Sequence, residues 1–545
     1  MKIAVAQINT HIGDLTQNKE TILKYINIAL DQDAELLVFP EFAISGAPLY
    51  DLVSSADFVD KCYAALEDIA ISGKDIDILI GMPTQSGDDY FSSMVYLHDG
   101  NVTNIFSKAM IDSRLEKCHV SGIDSPDYND ESEDSESEIP MNIIEVEKKR
   151  FLIVIGEDLD YLEKIDKALK IDAIISLANP IYSHEAISEE YEVLCEAAKE
   201  FKIPIIRCAS VGANAASFVN FGASCSITAK GEVVRSAKTF KSDIFFVETD
   251  TIHSETSITK TVTKRNTTSD NHSAIKLAIT DFFGKQELKK AVIGLSGGID
   301  SAVVAALAVD ALGKENVTAI LMPSEFSSEG SVSDSLKLVK TLGIKHHKVS
   351  IADMFNSVTN GLNPIFGALP FSVAEENIQA RLRGVILMAY SNKFGDIVLN
   401  TTNKSECAVG YGTLYGDTNG SLSILADLYK GEVYDLAEYI NSDREIIPRE
   451  IIEKTPSAEL RPDQKDSDSL PEYSELDAIL HCLIEENMSV LETVAKKHNV
   501  DTVAKVAKLI ATSEHKRFQL PPIVKLSSAT LGIDRIYPIA SKLTY

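Results

Sequence analysis

Eight consecutive residues, Gly294-Leu295-Ser296-Gly297-Gly298-Ile299-Asp300-Ser301, combine the side-chain types that handle phosphate. Backbone N–H groups in a glycine-rich turn point at anionic oxygens, and a helix starting there adds the positive end of its dipole. Adjacent glycines let the backbone approach closely. Ser296 and Ser301 can donate hydroxyls. Asp300 cannot favourably touch a bare phosphate, so a carboxylate in this turn implies a bridging Mg²⁺. The pattern GxxxxGK[ST] is absent, which separates this turn from the Walker type.

Such a turn works only between a strand and a helix, and the flanking sequence supplies both. The apolar run 290–294 reads as a strand and the Ala- and Val-rich run 301–313 as a helix. The alternation continues with strand 317–322, helix 332–342, strand 346–349, a long helix of about 373–394 and strand 396–400, with helix 273–284 before the turn. Alternating strands and helices predict a doubly wound parallel sheet with its ligands at the strand C-termini. The tail from residue 473 reads as mostly helical. Residues 1–251 form another α/β block. It has strands at 2–8, 36–39, 76–82, 93–98, 102–107, 150–155, 172–177 and 203–208, hairpin-like strands over 223–249, and helices at 17–31 and 184–200. Strands paired around helices predict an αββα sandwich. The polar stretch 252–271 reads as the linker to a second domain, 272–545. Residues 124–138 are a solvated acidic run.

The 545-residue length accommodates these two domains. With 45% hydrophobic and 24% charged residues, the chain is of ordinary globular composition. No apolar run reaches the roughly 18 residues of a membrane span. The start, Met1 to Gln7, reads as a strand and not as a signal peptide. The seven cysteines form no CxxC pair, which points away from zinc or a disulfide framework and towards a reduced, cytoplasmic setting. A net charge of −29 speaks against nucleic-acid binding, and anionic substrates then need local basic residues and metal.

The glycine-rich turn resembles the SGGxDS loop of the ATP pyrophosphatases, which split ATP between its α and β phosphates. Alone it equally fits GMP synthetase, asparagine synthetase and tRNA-modifying enzymes. Further motifs narrow the choice: Met322-Pro323-Ser324, Glu376 to Arg381, Asn403-Lys404-Ser405-Glu406, Tyr415-Gly416-Asp417, Ser457 to Gln464, and His515-Lys516-Arg517. With them, residues 273–545 resemble the synthetase domain of the NAD⁺ synthetases. That resemblance implies ATP-dependent amidation of deamido-NAD⁺ through an adenylate, with release of AMP and pyrophosphate. Activation is chemically required, because a carboxylate has no viable leaving group. By the resemblance, Gly294 to Ser301, Thr401, Lys430 and Ser457 bind ATP, and Lys430 also stabilises charge during adenylation. Asp300 and Glu406 are the candidate Mg²⁺ carboxylates, expected from two different strand ends. Arg381 has the guanidinium fork suited to the dinucleotide's anionic groups. Asn377, Glu406, His515 and Lys516 resemble its further contacts.

Residues 1–250 resemble the carbon–nitrogen hydrolase (nitrilase-like) domain fused to glutamine-dependent NAD⁺ synthetases. Glu41, in Leu37-Val38-Phe39-Pro40-Glu41, matches its general base, and Lys108 its catalytic lysine. The nucleophilic cysteine should follow Val154-Ile155, where this chain has Gly156. Glycine cannot attack a carbonyl. Asn179 stands where that family has a serine, and Glu185 where it has a glutamine-binding lysine. The expectation is an NAD⁺ synthetase with a degenerate amidase domain that uses free ammonia, or ammonia delivered by another protein, and assembles as a homo-oligomer. The alternatives are a glutamine-hydrolysing synthetase with an unusual nucleophile, such as Cys118 or Cys208, and a non-enzymatic scaffold.

Overall fold

A computed structural model of the chain describes residues 1–87, 89–107, 142–156, 170–253, 265–367 and 369–542. Lys108, Cys118 and the acidic run 124–138 lie outside them. Two compact units span Met1–Arg265 and Asn266–Tyr545.

The first unit stacks two six-stranded sheets. One has the spatial order Asp243–Glu248, Lys2–Gln7, Leu36–Val38, Asp77–Ser86, Asp89–His98, Asn101–Ser107. The other runs Val233–Ser236, Cys225–Ile227, Ile205–Ala209, Ala173–Ala178, Lys149–Ile155, Ile143–Val146. Strand Lys2–Gln7 explains the layering. Ile3 and Val5 point to the other sheet, where they join Phe151, Ile153, Ile175 and Ile206. Ala4 and Ala6 point outward beneath two helices. Those helices, Leu15–Asp31 and Ala56–Ser72, bury Ile22, Ile26, Leu66 and Ile69 on that outer face. Helix Ala186–Phe201 buries Ile187, Tyr191, Leu194 and Ala198. The architecture is the αββα sandwich expected from the sequence.

The second unit carries a five-stranded, wholly parallel sheet. Its spatial order is Lys345–Lys348, Val317–Leu321, Ala291–Leu295, Ile397–Asn400, Leu422–Ser423. In chain order that is 3-2-1-4-5, so connections leave strands Ala291–Leu295 and Ile397–Asn400 in opposite directions. A crevice opens between their C-terminal ends, the general ligand position in doubly wound sheets. Helix Ile299–Leu312 is apolar almost all round and its residues 301–308 are buried. Helix Val373–Phe394 begins with a capping box, in which Ser372 and Glu375 satisfy each other's backbone N–H groups.

The interdomain boundary differs from the sequence reading, and so do some helices, Ala56–Ser72 among them. Helix Thr267–Lys285 starts inside the stretch expected as linker, 252–271. The cause is local: the Asn266 side chain caps it by accepting the N–H of Ser269 at 3.1 Å. Helix Ala352–Phe366 was not anticipated.

Candidate active site

The turn after strand Ala291–Leu295 builds one wall of a cleft of about 300 Å³. Inside the turn, the hydroxyls of Ser296 and Ser301 lie 3.1 Å apart. Ser296 Oγ accepts the Gly298 N–H at 3.2 Å, and Ser301 Oγ donates to the Gly298 carbonyl at 3.1 Å. Gly298 is the N-cap of helix Ile299–Leu312, with no side chain closing that end. The N-terminal N–H groups therefore face the cleft. Gly294, Leu295, Ser296, Gly298, Ile299, Asp300 and Ser301 all line it. Gly297, expected to cradle phosphate with them, does not. It sits at φ +82°, and a Cβ there would come within 2.5 Å of the Ser331 carbonyl oxygen. Its lack of a side chain lets the turn pack on backbone, which glycine alone permits at that φ.

The opposite strand end supplies the second half. Thr401 lines the cleft directly after strand Ile397–Asn400. Asn403 then caps the short helix Lys404–Val409. Its side-chain oxygen accepts the Glu406 N–H at 2.9 Å, while Glu406 Oε2 accepts the Asn403 N–H at 3.3 Å. Lys430, the first residue of helix Lys430–Ile440, joins both halves. Its Nζ lies 2.6 Å from Asp300 Oδ2 and 3.8 Å from Glu406 Oε1. Only 3% of its side chain is exposed. Burial would strip that ammonium of its proton, but Asp300 and Glu406 outweigh it and hold Lys430 above the ordinary lysine range. Burial first, and then the Asp300 charge, push the Glu406 carboxyl well above its ordinary range.

A second rank of groups fixes Lys430. Its backbone N–H donates to Ser405 Oγ at 2.9 Å, and Ser405 Oγ donates to Asp477 Oδ1 at 2.5 Å. The other Asp477 oxygen accepts the Gly431 N–H at 2.9 Å. Tyr473, one turn before Asp477, lies under the Lys430 ammonium at 5.1 Å and donates to Asp466 at 3.1 Å. Behind this, the fully buried Lys404 reaches Asp427 at 3.0 Å, Glu485 at 2.6 Å and Ser527 Oγ at 2.7 Å. Asp427 accepts the N–H groups of Leu526 and Ser527, each at 2.7 Å, and the hydroxyls of Ser527 and Thr530 at 2.9 and 2.7 Å.

Ser457 lines the cleft and shapes its rim, donating to the Gln464 carbonyl at 2.5 Å. The residues expected to hold the second substrate gather elsewhere. Asn377 Oδ1 accepts the Thr413 hydroxyl at 2.7 Å. Arg381 Nε donates to the Leu414 carbonyl at 3.2 Å. Lys516 Nζ donates to the carbonyls of Gly410 and Gly412 at 2.7 and 2.8 Å. All three converge on the loop 410–418, and none lines the phosphate cleft. His515 is exposed, its ring against the Thr512 carbonyl. The cleft also contains groups the sequence reading passed over. Arg383 donates to the Met322 carbonyl at 3.1 Å, and Lys454 pairs with Glu459 at 3.0 Å. An isolated arginine or lysine of this kind looks in sequence like a member of a surface ion pair.

The lining tests whether a divalent cation belongs here. Asp300, Glu406, Asp417, Glu459 and Asp466 face only Arg383, Lys430 and Lys454. A nucleoside triphosphate entering so acidic a cleft requires added positive charge. Asp300 and Glu406 are hard oxygen donors from two strand ends, as Mg²⁺ takes. The residues fit the ion.

In the first unit, Glu41 is 3% exposed and accepts the Ser92 hydroxyl at 2.6 Å. Gly156 ends strand Lys149–Ile155 at φ +67°. Its N–H donates to the Leu177 carbonyl at 2.6 Å, and its carbonyl accepts from the buried Arg207 at 3.2 Å. Arg207 also reaches Ser176 Oγ at 2.6 Å and Glu190 at 2.5 Å. Asn179 accepts the Ser210 hydroxyl, and Glu185 is exposed. Cys208 lies wholly between the two sheets, with its Sγ 3.4 Å from the Val38 carbonyl oxygen. Burial pushes its thiol far above the ordinary range. A thiol so placed is neither ionised nor reachable, which removes Cys208 as a substitute nucleophile.

The NAD synthase family model matches residues 272–521, and the carbon-nitrogen hydrolase model matches residues 2–254. A glutamine-dependent NAD(+) synthetase of Acinetobacter baylyi is 33% identical over 550 residues, covering 99% of this chain and 98% of its own length. One from Xanthomonas campestris is 36% identical over 551 residues, covering 99% and 97%. The solved structure of a glutamine-dependent NAD⁺ synthetase from Acinetobacter baumannii, in complex with ADP, superimposes with a TM-score of 0.74. It is 31% identical and the match covers 99% of this chain and 98% of that one.

The Gly297 geometry has a direct consequence. Gly297→Ala should force the turn off the Ser331 backbone and cost nucleotide affinity. Calorimetry should record ATP binding weakened by at least about tenfold, or about 1.4 kcal/mol. Unchanged affinity would mean that the turn does not hold the phosphates.

Proposed function

The chain belongs to the glutamine-dependent NAD(+) synthetases, carbon–nitrogen ligases, and from that premise we propose that this member takes ammonia, not glutamine, as its direct nitrogen donor. The observation that carries this reading is Gly156. The position that needs a thiolate has no side chain, its carbonyl is engaged by Arg207, and Cys208 is sealed in the core. Glu41 as a base then has no nucleophile to activate, and the thioester route is closed. Glu185 in place of a glutamine-binding lysine, and Asn179 in place of a serine, disfavour the amide substrate as well. Lys108 completes the inherited amidase set, without catalysis.

In the synthetase unit the proposed order is adenylation, then amidation. The nicotinate carboxylate of deamido-NAD⁺ attacks the α-phosphorus of ATP and expels pyrophosphate. Ammonia attacks the adenylate carbonyl and expels AMP. The turn residues, Thr401 and Ser457 orient ATP. Asp300 and Glu406 hold Mg²⁺, which when bound neutralises phosphate charge. Lys430 keeps its proton throughout, because two carboxylates hold it, and so presents a fixed positive charge to the phosphorus as negative charge builds. Asn377, Arg381, Glu406, Lys516 and His515 contact deamido-NAD⁺, through the loop 410–418 that three of them brace. Self-association completes the reading. Ile365, Leu369, Phe371 and Val373, close in sequence, are each exposed in the second unit, apolar side chains that a second copy could cover. Light scattering should give a multiple of the chain mass; a monomer at micromolar concentration would refute it.

With ATP, Mg²⁺ and deamido-NAD⁺, ammonium should support NAD⁺ formation with stoichiometric AMP and pyrophosphate, and glutamine should not. Glutamine-supported synthesis blocked by a thiol-alkylating glutamine analogue would overturn the proposal. ADP and phosphate as products would overturn the adenylate.

Lys430→Ala should lower kcat by roughly a hundredfold or more, about 3 kcal/mol, and change the KM for deamido-NAD⁺ far less. A rise in KM at constant kcat would make Lys430 a ground-state binding group.

A further inference from the structure

Asn403 is fully buried, and its backbone has no slack. The Thr402 N–H before it donates to Asn400 Oδ1 at 3.0 Å. The Lys404 N–H after it donates to the Leu428 carbonyl at 2.8 Å. Asn400 is itself fixed, donating to the carbonyls of Asp417 and Asn419 at 2.8 and 3.0 Å. The Asn403 side chain thus projects from a rigid loop.

Its two amide atoms do different things. Oδ1 caps helix Lys404–Val409 by accepting the Glu406 N–H at 2.9 Å. Nδ2 crosses to the other strand end and donates to Asp300 Oδ1 at 2.9 Å. The backbone N–H of the same residue donates to Glu406 Oε2 at 3.3 Å. One residue therefore touches both carboxylates. It occupies one acceptor direction on Asp300 Oδ1, while Lys430 occupies one on Asp300 Oδ2. Each carboxylate oxygen keeps a second lone pair for a cation. Only a neutral amide gives this combination at this length. A carboxylate would set oxygen against oxygen at Asp300, and a serine would cap the helix without reaching across.

We infer that Asn403 is a positioning residue that sets the spacing and orientation of Asp300 and Glu406 for a divalent cation. This rests on the reading of those two carboxylates as the Mg²⁺ pair. Partners that orient metal-binding carboxylates typically change metal affinity by about tenfold to a hundredfold when removed.

The test titrates Mn²⁺ into the full-length protein with equimolar α,β-methylene-ATP. Water-proton relaxation enhancement reports the protein-bound ion, and thermal melting reports the fold. N403S retains a cap acceptor and should keep a cooperative melt. It should bind Mn²⁺ at least about tenfold more weakly. In N403S, NAD⁺ synthesis should recover at high Mg²⁺, because the fault lies in ion capture. Wild-type Mn²⁺ affinity in N403S would overturn the inference, as would weakened binding that appears only where melting collapses. D300N separates the two levels. Normal Mn²⁺ binding in D300N would refute the carboxylate reading itself. Loss in D300N with full binding in N403S would refute the role of Asn403 alone.

Discussion

A lysine ammonium with 3% of its side chain exposed is stable only where carboxylates meet it, and Lys430 meets two. The same contact draws together segments far apart in the chain: the turn at 294–301, helix Lys404–Val409 and helix Lys430–Ile440. Neither carboxylate can be removed cheaply, because an uncompensated buried charge costs several kcal/mol. Ser405, Asp477 and Tyr473 stiffen the lysine from behind. The cleft is consequently a charge arrangement first and a shape second. On the proposed reading, its acidic excess is offset by the divalent ion that accompanies the nucleotide. The sheet's strand order supplies the geometry by opening the crevice where the two carboxylate-bearing segments leave adjacent strands.

The first unit holds its fold without drawing on any nucleophile. Its stability comes from the apolar layer between the sheets, to which Ile3, Val5, Phe151, Ile153 and Cys208 belong. None of that layer depends on a nucleophile. Gly156, at the end of strand Lys149–Ile155, contributes no side chain to that layer, which is complete without it. Arg207, paired with Glu190 and bonded to Ser176 and the Gly156 carbonyl, ties that strand end to its neighbours. Fold and activity are separable here because they reside in different atoms.

What could be read from the sequence follows from how local each signal is. Strand Ala291–Leu295, its turn and its helix were legible because phosphate chemistry, glycine geometry and apolar periodicity coincide between Ala291 and Leu312. Helix Ala56–Ser72 is absent from the sequence reading although Val59, Cys62, Leu66 and Ile69 repeat at spacings of three and four, because its mixed polar residues obscure the stripe. Helix Ala352–Phe366 carries a similar stripe of Met354, Phe355, Val358, Leu362 and Ile365, but helix-weakening residues interrupt it. It contains Pro364 and none of its residues is fully buried. Within the site, Asp300, Glu406 and Lys430 stood out through motif chemistry. Their mutual distances did not, because those depend on strand order. Gly297 was assigned to phosphate by its neighbours, whereas its φ and the Ser331 backbone give it a packing role. Asn403 went unremarked because an asparagine before a short helix ordinarily does no more than cap it. Its reach to a carboxylate a hundred positions earlier exists only in three dimensions.

The carboxylate of Asp427 accepts four hydrogen bonds from residues 526 to 530 while pairing with Lys404, two positions before Glu406. Those donors lie about a hundred positions further along the chain. Without them Asp427 would be a buried anion with most of its partners missing, and the helix bearing Glu406 would lose the support that Lys404 passes on to it. The floor of the cleft is therefore held by a segment that lines none of it, and a substitution at Thr530 or Ser527 reaches the site through Asp427 and Lys404.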